Sequence, residues 1–167
     1  MTSGGPGRDV VRVPLARLPH GDGLPLPAYA TQGSAGLDLL AAVPDALAIE
    51  AGGRVRVPTG IRIALPAGFE GQIRPRSGLA YREGLVLPNA PGTIDSDYRG
   101  EIQVLLWNIS DTRVELCRGD RIAQLVVSPV ARVEWAADVA LDATARGEQG
   151  FGHSGLRADP TDREVEG

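Results

Sequence analysis

The segment 92-GTIDSDYRGEI-102 places three acids, Asp95, Asp97 and Glu101, within seven residues. Clustered carboxylates either bind a cation or move a proton. The spacing D-x-D-x-x-G from Asp95 matches the opening of an EF-hand loop, but the fifth position is Arg99 and the twelfth is Leu106, where a bidentate Glu is required. A calcium loop is therefore excluded. In an extended strand or hairpin, Asp95 and Asp97 share one face and Ser96 and Tyr98 the other. A carboxylate beside Thr93 and Ile94 is costly to bury unless something bonds to it, so Asp95 is either hairpin surface or a positioned general base. Asp38 in 35-AGLDLLA-41 poses the same question among leucines. A metal-bound or phosphate-bound water would account for it, and so would a bulge or a sheet edge.

Two further segments have anion chemistry. In 74-RPRSGLAYREG-84, Ser77 is an N-cap candidate and Gly84 a helix stop, with room for two turns. The unpaired N–H groups of such a turn favour an anion, and Arg74 and Arg76 stand just upstream. An ordinary capped turn with solvated arginines is the plain alternative. Near the end, 146-RGEQGFGHSG-155 carries an arginine, an aromatic ring, a serine and four glycines. It is one letter from G-x-x-x-x-G-K-[ST], but a phosphate-binding loop of that kind follows a buried strand and opens a helix. Here 140-ALDATA-145 precedes it and the polar 156-LRADPTDREVEG-167 follows. A disordered tail and a mobile flap that folds over a phosphate ligand both remain.

The elements that must position these residues are short strands. In 54-RVRV-57 and 61-IRIAL-65 apolar residues recur at period two, and 10-VVRVPLA-16, 101-EIQVLLWNIS-110 and 113-RVELCRGDRIAQLVVSPVARVEW-135 read likewise. Gly (22) and Pro (13) are too frequent for a helical bundle, and no helical patterns alternate with strands. The expectation is an all-β jelly roll or closely related distorted barrel with one short helix. Its domain runs over 10–143, between a disordered 1–9 and a flexible arm at 144–167. A chain of 167 residues buries roughly 70% of its unfolded surface as one domain.

Charge and composition exclude several classes. A net charge of −4 argues against a protein that coats nucleic acid. All 17 basic residues are Arg, which reflects GC-rich coding more simply than function. The single Cys117 rules out an internal disulfide and reads as a small buried residue; no Cys/His cluster suggests zinc. Trp107 and Trp135 read as core or subunit packing, and His20 as a loop residue. The opening 1-MTSGGPGRDVVRV-13 lacks an apolar signal region, and no run approaches the roughly 18 apolar residues of a membrane span, so a soluble, cytoplasmic protein is expected.

Taken in order, AGLDLLA, RPRSGLA, NAPGTIDSDYRG, RGDRIAQLVV and RGEQGFGHSG resemble the five motifs of the trimeric deoxyuridine triphosphatase (dUTPase) family, a likeness running from about Val10 to Gly155. The resemblance implies a jelly-roll homotrimer with active sites shared between subunits, hydrolysing dUTP to dUMP and pyrophosphate with Mg²⁺. That activity keeps uracil out of DNA and supplies dUMP for dTMP synthesis. By match of position, Asp95 is the general base for the attacking water. Asn89 and the backbone around Thr93 and Ile94 read the uracil edge, and Tyr98 packs under the deoxyribose to exclude a 2′-hydroxyl. Arg76, Ser77 and Gly78 hold phosphates, Gln124 contacts the α-phosphate or the water, and Asp38 holds a water of the Mg²⁺ shell. The arm closes as a flap: Phe151 stacks on uracil, Arg146 reaches the γ-phosphate, and Gly152, His153 and Ser154 add phosphate contacts. Where Gln149 stands, the family commonly has glycine; if that position needs a positive φ, closure is weakened by about 1 kcal/mol or more. A dCTP deaminase of the same fold needs a Glu against the pyrimidine C4, whereas T-I-D-S-D-Y-R-G matches the hydrolase. A non-catalytic nucleotide binder would be expected to lack Asp95, Ser77 or the arm.

Overall fold

The computed structural model describes residues 10–137 and 139–148. They fall into two units, one ending at Ala131 and one beginning at Arg132. The arm residues Gln149, Phe151, Gly152, His153 and Ser154 lie outside the described residues, as does the N-terminal 1–9.

The first unit is built of short strands: β1 (Leu15–Arg17), β2 (Leu37–Leu40), β3 (Leu47–Ile49), β4 (Arg54–Pro58), β5 (Ile61–Ile63), β6 (Phe69–Arg74), β7 (Leu85–Val86), β8 (Gly92–Ile94), β9 (Gln103–Asn108), β10 (Val114–Leu116) and β11 (Arg121–Pro129). One helix, α1 (Ser77–Glu83), follows β6, and a single 3-10 turn covers Pro19–Gly21. A four-stranded sheet runs β2-β11-β6-β8 and a three-stranded sheet β4-β9-β7; β1 pairs with β5 and β10 with β3, all antiparallel. This is the all-β, jelly-roll class that the alternating pattern predicts, with its sheets left open instead of closed into a barrel.

Period two decides which residues go inside. Val57, Val104 and Leu106 are fully buried, while Arg54, Arg56 and Leu105 of the same strands face out. Leu39, Ile102 and Ile122 join them in the core. Each such side chain contributes about 1.5–3 kcal/mol on leaving water. Asn108 is a fully buried exception. Its amide nitrogen donates to Ile49 O (2.9 Å) and Thr112 O (2.7 Å), and its oxygen accepts from the Ser110 N–H (3.0 Å) and hydroxyl (2.7 Å). All four hydrogen-bonding positions of the amide are filled, which removes the cost of burying it.

Several local expectations are corrected. The helix is N-capped by Arg76, whose extended backbone (φ −91°, ψ 122°) precedes it and whose side chain makes no cap bond, so Ser77 is the first helical residue and not the cap. Gly84 ends the helix at φ 64° as expected. β8 stops at Ile94, and residues 95–98 form a turn closed by Tyr98 N–H to Asp95 O at 3.1 Å, so the strand-face alternation of Asp95 and Asp97 does not apply. Trp107 lies on the outer face of β9, where Arg54 stacks 4.7 Å from its ring centroid and its indole N–H donates to Gly52 O. Trp135, in the second unit, is exposed, so it belongs to no core. Cys117 is exposed in the turn after β10, its N–H donating to Asp120 Oδ2 at 2.7 Å. Alternation fails as a guide at each of these positions because the residue lies at a strand end, in a turn, or on a sheet's outer face.

Candidate active site

The four-stranded sheet carries the site. Directly opposed residues of antiparallel strands share a face. Asp38 opposes Gln124, Gln124 opposes Arg74, and Gln72 opposes Thr93, so β2, β11, β6 and β8 put a polar row on one face. The alternate residues Leu39, Ile73 and Leu125 go into the core. β2 is the edge of this sheet, and the pairing of β11 with it shifts register between Arg121 and Ala123. The edge and the irregularity together give Asp38 room for charged partners.

Asp38 is buried, and its partners explain why it can be. Arg76 Nε lies 3.3 Å from Oδ1 and Arg121 Nε 3.2 Å from Oδ2, while Gln124 Nε2 donates to Oδ1 at 3.3 Å. Arg76 also donates to Arg121 O at 3.3 Å, tying the entry of α1 to the start of β11. The sequence reading anticipated Asp38, Arg76 and Gln124 but missed Arg121, which follows Arg118 in RGDRIAQ as an unremarkable second arginine. Arg74 turns instead to Gln72 Oε1, at 3.0 and 2.6 Å. Ser77 and Gly78 open α1 beside Arg76, Ser77 being exposed.

A second cluster surrounds a cavity of about 370 Å³. Ile73, Leu87 and Gly92 are its buried lining, and Asn89, Thr93, Ile94, Asp95, Tyr98 and Glu101 stand around it. Asp95 is exposed, so no burial penalty bears on it, and its place beside the cavity is what marks it. Tyr98 donates its hydroxyl to Glu101 O at 3.0 Å, and its ring crosses Gly100 so closely that a Cβ there would lie 2.3 Å from the phenolic oxygen. Arg99 Nη1 reaches Ser96 O (2.7 Å) and Tyr98 O (2.8 Å), closing the turn on itself.

Glu101 and His20 were missed as a pair because 81 residues separate them. His20 is more than a loop residue: its Nε2 lies 2.6 Å from Glu101 Oε1. Burial pushes the Glu101 carboxyl up, but hydrogen bonds from His20, the Gly60 N–H and Gln103, with the charge of His20, outweigh it and hold the group below the ordinary glutamate range.

The expected site residues thus form two groups within one chain, Asp38–Arg76–Gln124 and Asn89–Asp95–Tyr98. Arg146, exposed in the second unit, precedes a turn residue, Gly147, whose N–H donates to Thr144 O at 3.0 Å. Among the described residues no group of three or more His, Cys, Asp or Glu could hold a metal. A lone carboxylate between two arginines does not make a protein cage, but it fits Mg²⁺ held chiefly by water and substrate phosphates. No helix among the described residues is long and apolar enough to cross a membrane.

The dUTPase family model matches residues 22–155. The chain is 52% identical over 150 residues to the deoxyuridine 5′-triphosphate nucleotidohydrolase of Wolbachia pipientis subsp. Culex pipiens (strain wPip), covering 89% of this chain and 98% of that protein. To the protein of the same name from Anaplasma marginale (strain St. Maries) it is 55% identical over 146 residues, covering 87% and 99%. The solved dUTPase of Staphylococcus bacteriophage 80alpha with dUPNHPP superposes with a TM-score of 0.77 at 23% identity, covering 87% of this chain and 99% of that one. A mutant dUTPase of phage phi11 of S. aureus, described with a structural Mg(II) ion, gives 0.70 at 19% identity, covering 79% and 99%. With the whole sheet, the helix and four of the five motifs inside the described residues, the chain belongs to the dUTPase family.

Proposed function

We propose that this chain is a dUTP diphosphatase, hydrolysing dUTP to dUMP and pyrophosphate, which limits uracil entry into DNA and provides dUMP for dTMP synthesis. The observation that carries the reading is the cavity flanked by Asn89, Thr93, Ile94, Asp95 and Tyr98, in a chain more than half identical to curated dUTP hydrolases. Asn89 and the β8 backbone offer fixed donors and acceptors to the uracil edge. A mismatched base would leave them unpaired, the kind of loss that gives large discrimination. Tyr98, held over Gly100, bars a 2′-hydroxyl.

Asp95 takes the proton of a water that attacks the α-phosphorus. The bond from that phosphorus to the α–β bridging oxygen breaks, and pyrophosphate leaves with that oxygen. Asp95 suits the role because it is exposed at the cavity and makes no ion pair among the described residues. Gln124 orients the α-phosphate or the water; Arg76, Ser77 and Gly78 receive phosphate oxygens, supplying positioning and charge stabilisation. Mg²⁺, when bound, would neutralise phosphate charge, and Asp38 would hold it through a water. Arg76 is then shared between Asp38 and phosphate, a shift its partial exposure permits.

The division of site residues into two groups within one chain supports a homotrimer whose sites combine neighbouring subunits. Arg146 clamps the γ-phosphate while Phe151, Gly152, His153 and Ser154 close over the nucleotide. The partners are dUTP and two copies of the chain, without membrane or direct nucleic-acid contact, and a cytoplasmic location suits that substrate.

The test is pyrophosphate release from dUTP, dCTP, dTTP and UTP with Mg²⁺, for the intact chain, Asp95→Asn and a chain ended at Ala143. Hydrolysis of dUTP alone is expected, abolished by Asp95→Asn and crippled by truncation. Binding of dUTP without cleavage by the intact chain would make it a nucleotide-binding protein, and ammonia from dCTP would make it a deaminase.

A further inference from the structure

The 95–98 turn carries Asp95 and Tyr98, yet its second half has no strand to hold it until β9 begins at Gln103. Its first end is fixed by β8 on β6. At its second end, Glu101 spends both carboxylate oxygens on protein: Oε1 accepts from His20 Nε2 (2.6 Å) and the Gly60 N–H (2.8 Å), and Oε2 accepts from Gln103 Nε2 (3.1 Å). An ionised carboxylate only accepts, so His20 Nε2 is the donor. The next residue continues the anchor, with Ile102 N–H to Ile61 O at 2.9 Å and the Thr59 hydroxyl to Ile102 O at 2.6 Å.

His20 is itself held. Arg118 Nη1 donates to His20 O (2.9 Å) and Nη2 to Asp22 O (2.7 Å), while Arg17 donates to Gly21 O and Leu24 O. Gly21 crosses Gly60 so tightly that a Cβ on Gly21 would lie 2.4 Å from Gly60 O, and Gly60 has φ +70°. A rigid crossing of two loops thus presents one imidazole and one N–H to Glu101. The backbone carbonyl of that same Glu101 fixes the Tyr98 hydroxyl.

We infer that Glu101, gripped by His20 and the Gly60 N–H, is a positioning residue that sets the 95–98 turn and, through its own carbonyl, the Tyr98 phenol that reads the sugar. The inference rests on the dUTP reading for its kinetic consequence and stands apart from it in its structural one. With both oxygens engaged, Glu101 acts through Tyr98 and Asp95 and does not touch the nucleotide. Glu101→Ala leaves the Gly60 N–H and His20 without their acceptor and lets the carbonyl at 101 drift. Glu101→Gln keeps an acceptor for both donors and needs only a flip of the Gln103 amide.

The experiment measures kcat and KM for dUTP and UTP in the intact chain, Glu101→Ala, Glu101→Gln and His20→Ala, with amide hydrogen exchange followed over 95–101 and, as control, over α1. In Glu101→Ala the preference for dUTP over UTP falls roughly ten- to a hundredfold, the loss an ångström-scale misplacement gives, and exchange at the Tyr98 amide quickens while α1 is unchanged. Glu101→Gln restores most of both, and His20→Ala lies between. Should Glu101→Ala fail to fold, Glu101→Gln against His20→Ala carries the same comparison. Unchanged sugar preference and unchanged exchange at 95–101, with only a lowered melting temperature, would overturn the inference. If the intact chain cleaves neither nucleotide, the dUTP reading fails by itself; quickened exchange in Glu101→Ala, rescued by Glu101→Gln, then still supports the clamp, and equal exchange refutes it.

Discussion

Replacing Asp38 with Asn separates the ion-pair role of this carboxylate from the Mg²⁺ role proposed for it. Its two guanidinium partners lie 3.2 and 3.3 Å away, which at an effective dielectric of about 20 is a raw attraction of about 5 kcal/mol each. Most of this is offset. Arg121 is 62% exposed and its share is largely screened, while Asp38, whose side chain is only 10% exposed, has given up most of its hydration. A net loss of about 2 kcal/mol remains, carried mainly by Arg76, and in a chain of this size it lowers the melting temperature by roughly 4–8 °C. The second role concerns Mg²⁺. A carboxylate that fixes a water of the metal's shell acts like other outer-shell groups, so the Mg²⁺ concentration for half-maximal dUTP hydrolysis rises roughly ten- to a hundredfold in Asp38→Asn. The assay is a thermal melt without metal beside a Mg²⁺ titration of pyrophosphate release at saturating dUTP. A lower melting temperature with an unmoved Mg²⁺ midpoint would reduce Asp38 to an anchor for Arg76 and Arg121. An unmoved melting temperature would refute the ion-pair reasoning instead.

Three other outcomes follow from the geometry. Gly100→Ala puts a methyl where the Tyr98 phenol lies, 2.3 Å from its oxygen, so the ring swings out and dUTP-over-UTP preference falls roughly tenfold or more, read from the two kcat/KM values. Stability drops by only about 1 kcal/mol, because the displaced hydroxyl can reach water. Asn108→Ala leaves the Ile49 carbonyl and the Ser110 N–H without their buried partner, while the Ser110 hydroxyl keeps Thr112 O at 3.1 Å, and costs about 2–4 kcal/mol in urea unfolding, with activity per folded molecule retained. Glu101 has its folded-state pKa depressed, so its contribution to stability is present above the ordinary glutamate value and is lost as pH falls through the folded one. Unfolding free energy measured from roughly pH 5 down to pH 3 therefore declines less steeply in Glu101→Gln than in the unaltered chain.

The sequence by itself determined the class of the fold and the family. Alternation at 54–57 and 61–65 specifies a face of a sheet because the side-chain period of a strand is two, and Val57, Ile61 and Ile63 are accordingly buried. The order of the motifs specifies the family, since its members share the kinds of group and their places along the chain. The pattern could not say why Asp38 tolerates burial, because the answer lies in Arg76, which tertiary packing brings in, together with Arg121, brought across by strand pairing at a sheet edge. Nor could it find His20, whose meaning comes from a tight crossing of two glycines that sets an imidazole on Glu101. It misplaced Cys117 for the same reason: apolar character gives a tendency to be inside, and only the packed sheets decide which apolar positions find an interior. Local sequence fixes periods and residue types over a few positions. Partners separated by tens of residues are chosen by tertiary packing, where pairing register and close backbone approach bring charge to charge.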